Sequence, residues 1–101
     1  MKRVLVRYKV KPEYAADNER YIERVFEQLN RESPTDLRYA SFKLSDGVTF
    51  VHLASLEGEG ENNRLRALSA FTQFKAGLQA RCEEQPVAVE LEEIGSFRFL
   101  R

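Results

Sequence analysis

The run Val48-Thr49-Phe50-Val51-His52-Leu53-Ala54-Ser55 constrains the fold of this chain more than any other segment. Side chains of a strand point alternately to opposite faces, so Val48, Phe50 and Ala54 share one face and Val51 and Leu53 the other. Neither set reads as solvated, which is the pattern of a strand covered on both sides. The chain has two helical stretches, and two helices cover one side of a single sheet. The other side needs its own cover, and a second copy of the same chain is the simplest one. A homodimer is therefore expected.

The remaining segments fall into place around that strand. Arg3 to Lys11 alternates Val4, Val6, Tyr8 and Val10 against Leu5, Arg7 and Lys9, the period of a strand, and Pro12 ends it. From Pro12 to about Glu32, Tyr14, Ala15, Asn18, Tyr21, Ile22, Val25, Phe26 and Leu29 recur every three or four residues, which predicts an amphipathic helix. Ser33-Pro34 breaks it, because the residue before a proline is pushed out of the helical region. Leu37–Leu44 and Val48–Ser55 flank Ser45-Asp46-Gly47, a strong hairpin signal. A two-residue Asp46-Gly47 turn sets His52 opposite Ser41 and near Tyr39. A three-residue loop sets it opposite Ala40. The first register is favoured because it gathers Phe42, Leu44, Val51 and Leu53 on one apolar face.

Glu57 to Asn63 reads as a mobile polar loop whose asparagines can cap the helix that follows. A second helical stripe, Leu65, Leu68, Phe71, Phe74 or Lys75, Leu78 and Cys82, is expected over about Arg64–Glu83, with Gly77 a weak point in its middle. Pro86 is expected to stop it. Val87–Leu91 then starts a fourth strand, and Ser96–Phe99 reads as a further extended piece.

The order βαββαβ in a chain of 101 residues predicts one domain, 1–101, of the α+β class. Its usual form is ferredoxin-like: an antiparallel four-stranded sheet with both helices on one face. Lysine and arginine number 16, as do aspartate and glutamate, so no net field points to nucleic acid. No run approaches a membrane span and no leader-like apolar region follows Met1, so a cytoplasmic protein without membrane contact is expected. The single cysteine, Cys82, has no internal disulfide partner and reads as a small core side chain.

At this level the chain resembles the dimeric α/β-barrel superfamily, specifically antibiotic-biosynthesis-monooxygenase-like domains. Val4–Pro12, the Asp46-Gly47 hairpin and Ala70–Leu78 carry the resemblance, which spans nearly the whole chain. It implies two protomers pairing their sheets into a barrel, each with an apolar pocket between sheet and helices, and Phe71 and Phe74 as pocket-lining, substrate-binding aromatics. Quinol-oxidising and haem-attacking members often carry a tryptophan after the third strand and a histidine just before the Phe-x-x-Phe segment. This chain has no tryptophan and has Ala70 at the histidine's place, where an axial haem ligand is chemically impossible.

The candidate catalytic residues are His52 and Tyr39. His52 is the only side chain with an ordinary pKa near neutrality, and on a strand lining a cavity it can act as acid or base toward a phenolic substrate. Tyr39, Ser41 and Arg38 on the paired strand complete a polar cluster. The blander role for His52 is a hydrogen-bonded strand residue. No metal site is expected, since no ligand-spaced His, Cys or carboxylate set occurs, and no cofactor, since no glycine-rich phosphate loop opens a helix.

Arg3, Arg7, Lys9 and Lys11 form a basic stripe that strand-end ion pairs can absorb. An RNA-recognition motif shares the element order, yet Val48 and Leu53 stand where it needs aromatics and Asp46 where it needs a base. The expected ligand is a small apolar or aromatic molecule, bound for cofactor-free oxygenation. The alternatives are a non-catalytic ligand-binding or dimerisation module, and a proton-transfer enzyme on the same barrel.

Overall fold

The computed structural model describes residues 2–57 and 64–99. Strand β1, Lys2–Val10, runs into a single 3-10 turn, Pro12–Tyr14, which leads directly into α1, Ala15–Glu32. Proline suits this entry because its missing N–H falls where no helical partner exists. Helix α1 ends at Ser33, whose N–H donates the last helical bond to the Leu29 carbonyl at 2.7 Å and whose left-handed backbone turns the chain out of the helix. The hairpin follows as β2, Leu37–Lys43, and β3, Thr49–Leu56. Then come α2, Ser69–Ala76, the short α3, Leu78–Arg81, and β4, Cys82–Glu90. The sheet order is β2-β3-β1-β4 with every pairing antiparallel. This is the α+β, ferredoxin-like arrangement the sequence pattern predicts.

The hairpin register pairs Ser41 with His52 and Phe42 with Val51. The turn itself is wider than a two-residue one, because Leu44 N–H still donates to the Thr49 carbonyl at 2.9 Å. Asp46 organises the loop: its carboxylate accepts from the backbone N–H of Val48 and Thr49 and from the Thr49 hydroxyl. Those three donors hold its carboxyl down at about 2. Gly47 takes a φ of 77°, the left-handed region that glycine reaches without strain.

The second helical region departs from expectation. Residues 64–67 form turns rather than helix, and Gly77 divides α2 from α3. The fourth strand begins at Cys82, not Val87, so Pro86 lies within a strand instead of stopping a helix. Proline is tolerated there for two reasons. β4 is an edge strand, and its register against β1 slips between the Arg7–Val87 and Lys9–Glu84 pairs, so Pro86 sits where the ladder is already irregular. The Ser96–Phe99 segment is not a strand: Phe97 and Arg98 form bends and Phe99 a turn, with Arg98 at a φ of 53°. Apart from Glu57, the expected Glu57–Asn63 loop lies outside the described residues.

Both long helices pack on the sheet face that carries Tyr8, Val10, Phe50 and Leu56, where Val25, Leu68, Phe74 and Leu78 close the core. The opposite face has no helix. Phe42, Val87 and Val89 are exposed on it, with Leu5, Val51 and Leu53 half-buried. No described helix is long and apolar enough to cross a membrane.

Candidate functional site

His52 stands in the middle of β3 on the helix-covered face, opposite Val6 of β1 and Ser41 of β2. That placement follows from parity: Phe50, His52, Ala54 and Leu56 face the helices, and their neighbours do not. The ring is almost fully buried, at 4 % exposure, and both its nitrogens are engaged. Nε2 lies 2.8 Å from the Tyr8 hydroxyl. Nδ1 lies 2.6 Å from Ser41 Oγ and 2.9 Å from Tyr39 Oη. Tyr8 and Tyr39 stack on the imidazole, with ring centroids 5.3 and 5.8 Å away, and Phe74 tilts against it at 5.5 Å.

The polar chain continues beneath Tyr8. Asn18 of α1 donates from Nδ2 to the Tyr8 hydroxyl at 2.8 Å, and Arg81 of α3 donates from Nε to Asn18 Oδ1 at 3.2 Å. A further N–H of the Arg81 guanidinium donates to the Phe74 carbonyl at 2.9 Å, and the guanidinium lies over the Tyr21 and Phe74 rings. Gly77 makes room for it: a methyl group there would come within 2.8 Å of Arg81 Nη1.

Burial sets the protonation states. Desolvation pulls His52 down to about 4, so the ring is neutral at physiological pH. The same cause raises the Tyr8 and Tyr39 hydroxyls well above the ordinary tyrosine value, outweighing the hydrogen bonds from Asn18 and Ser41 that favour the phenolates. All three groups are therefore uncharged and exchange hydrogen bonds rather than carry ions.

A cavity of about 310 Å³ lies between the sheet and α2, lined among others by Val6, Tyr39, His52, Phe71, Phe74 and Leu78. Its size falls at the lower end of small-molecule sites, and its wall is mostly apolar with a few convergent polar groups. All four sequence-predicted site residues border it. Ala70 does not line it; its N–H is held by Gln28 Oε1 at 2.9 Å. A larger cleft of about 860 Å³ lies on the helix-free side under residues 91–99. Arg38 belongs there: it pairs with Ser55, so it does not join the His52 cluster as expected.

The basic stripe on β1 is largely engaged, with Arg3 3.3 Å from Glu93 and Lys9 3.4 Å from Glu83. Among the described residues no three His, Cys, Asp or Glu side chains gather as a metal site would require.

Three residues of the site escape sequence reasoning: Tyr8, Asn18 and Arg81. A signal existed for one of them, since Asn18 is a polar residue on the apolar stripe of α1. Its complete burial shows that such a residue needs an internal partner.

Comparison with solved structures settles the architecture. A crystal structure of an antibiotic biosynthesis monooxygenase superposes with a TM-score of 0.76 at 19% identity, covering 94% of this chain and all of the other. This chain has the antibiotic-biosynthesis-monooxygenase-like fold. Rv0793 from Mycobacterium tuberculosis gives 0.74 at 12% identity over 94% of this chain and 96% of its own. SnoaB, a cofactor-independent oxygenase from Streptomyces nogalater, gives 0.68 at 15% identity over 96% of both chains. No protein-family model matches the sequence, and no curated protein matches it.

Proposed function

We propose that this protein binds a small apolar or aromatic molecule in the cavity between sheet and helices, and oxygenates it without a cofactor. The observation that carries the reading is the hydroxyl–imidazole cluster of Tyr39, Ser41 and His52 set into an otherwise apolar wall. Phe71 and Phe74 supply the aromatic surface, and Phe74 is tied to the His52 ring. Because protein hydroxyls occupy both nitrogens of His52, the group that meets substrate is the Tyr39 hydroxyl, and His52 works through it.

In such a reaction an activated methylene becomes a carbonyl. One atom of dioxygen enters the substrate, and the other leaves as water with the two hydrogens lost. The likeness to SnoaB supports this class of chemistry. Non-catalytic binding is the second reading, supported by Ala70 at the place of the family's histidine and by the absence of tryptophan.

The same proposal includes a homodimer formed through the helix-free face. Its support is the apolar content of that face, where Val87 is 62 % and Phe42 43 % exposed, more than one chain can cover.

Oxygen uptake with a panel of quinols and anthrones, comparing wild type with His52→Ala and Tyr39→Phe, tests the chemistry. Turnover that falls at least about 100-fold in both variants supports it, in line with the usual contribution of a positioned acid or base. Saturable binding of the same compounds without oxygen uptake leaves the binding reading and removes the oxygenase.

A further inference from the structure

We propose that Arg81 and Asn18 set the polarity of the cavity, so that its polar end donates a hydrogen bond and selects a ring compound bearing a carbonyl or oxyanion oxygen. The inference rests on the cavity being the binding site, and it adds the ligand's chemical class and two positioning residues.

A guanidinium only donates, so Arg81 Nε–H must give its hydrogen to Asn18, whose receiving atom is Oδ1. That fixes the amide's orientation and leaves Nδ2 facing Tyr8, where it donates to the hydroxyl. Tyr8 is 2 % exposed, and among the described residues its hydroxyl meets Asn18 and His52. If Nε2 carried a proton, it too would donate to Tyr8, and the phenol's own hydrogen would be buried without an acceptor. Tyr8 therefore donates to Nε2, and neutral His52 carries its hydrogen on Nδ1.

Around Nδ1 there are then three hydrogens, one each on Nδ1, Tyr39 Oη and Ser41 Oγ. Nδ1–H donates to the two hydroxyls, and neither hydroxyl can donate back to it. One hydroxyl hydrogen can bridge Tyr39 and Ser41; the other must leave the group. Of these two residues Tyr39 borders the cavity and Ser41 does not, so the surplus donor is presented there. With the opposite tautomer Nδ1 would accept one hydroxyl hydrogen, and the surplus donor at this end of the cavity would vanish. Arg81 is suited to impose this direction because its side-chain partners among the described residues are neutral: an amide oxygen, a carbonyl and two ring faces. Its position on the buried side of α3 keeps water from offering an alternative.

The chain contains one histidine, so nitrogen-15 NMR of tag-free, histidine-labelled protein reads the tautomer directly. Wild type should show Nε2 unprotonated and Nδ1 protonated. Asn18→Asp is nearly isosteric and gives Arg81 a carboxylate partner, but it replaces the donor facing Tyr8 with an acceptor. Tyr8 should turn to it and His52 should switch to the Nε2–H form. Tyr8→Phe, which removes the donor to Nε2, should also abolish the wild-type tautomer and serves if the first variant folds poorly.

Binding is read with 1-tetralone and tetralin, which differ by one carbonyl. The affinity of tetralone relative to tetralin should fall about fivefold from wild type to Asn18→Asp, the worth of one hydrogen bond. A wild-type Nε2–H tautomer would overturn the proposal, as would a tautomer switch that leaves the affinity ratio unchanged. Failure of both compounds to bind, with the tautomers as expected, would overturn the ligand selectivity and the cavity reading together. Failure of the tautomer alone would leave the cavity reading intact.

Discussion

The two faces of the sheet are built from the same four strands and could hardly differ more. On the helix-covered face Tyr8 and Phe50 are 2 % exposed, and among the described residues every buried side-chain nitrogen and oxygen has a hydrogen-bond partner. On the opposite face Val87 and Val89 are 62 % and 46 % exposed. Alternation along each strand sends one set of side chains into a desolvated, hydrogen-bonded core and the other toward contact with something outside the protomer. The covered face can therefore alter pKa values and orient hydroxyls, which the open face, bathed in solvent, cannot do. The open face instead offers area for association.

The comparison can be broken most sharply by truncation. Phe50→Ala should cost about 3–5 kcal/mol of stability, as expected for an aromatic side chain lost from a packed core. Val87→Ala should change the stability of dilute protein by less than about 0.5 kcal/mol. Urea unfolding of both variants checks this, and similar losses would erase the distinction between the faces.

Acid sharpens it next. The His52 pKa is lower in the folded chain than in the unfolded one, so the unfolded state takes up the proton first as pH falls. Its contribution is present above pH 6.5 and lost progressively down to about 4. At 1.36 kcal/mol per unit the loss amounts to about 3 kcal/mol. Urea midpoints measured across that window should show it, and His52→Gln should flatten that part of the curve.

The open face has its own test. In the proposed homodimer Leu53→Glu would place like charges against one another across the isologous contact and should weaken self-association at least about 100-fold, equivalent to ~2.7 kcal/mol, with circular dichroism unchanged. A wild-type protein that sediments as a stable monomer at micromolar concentration would remove the homodimer from the proposal.

A smaller loss on the covered side is expected at Gly77. An alanine there meets Arg81 Nη1 and should cost about 1 kcal/mol, since tight packing resists an added methyl group. Thermal unfolding measures the cost.

Much of the architecture was legible because local rules and tertiary packing agree. The Asp46-Gly47 signal put a hairpin between two apolar runs, and choosing the register that grouped Phe42 with Val51 also brought Tyr39 and Ser41 to His52. The second helical region was less legible. Leu65 to Cys82 keeps a helical spacing of buried residues, yet its ends are turn and strand, because tertiary packing can bury the same residues without a continuous helix. Pro86 misled for a related reason: its effect depends on whether the strand is an edge, which is a property of the assembled sheet.

The alternating and helical patterns in this chain were enough by themselves to determine a βαββαβ sheet with one side left apolar, since burial periodicity is a local record of which face meets solvent. They also placed His52 between its hydroxyl partners across one short hairpin. Only the tertiary structure decided that Tyr8, Asn18 and Arg81 join that group, through contacts spanning 44, 10 and 63 residues of chain. Hydrogen-bond direction in a buried chain depends on which donors meet end to end in space, and sequence spacing carries no record of that.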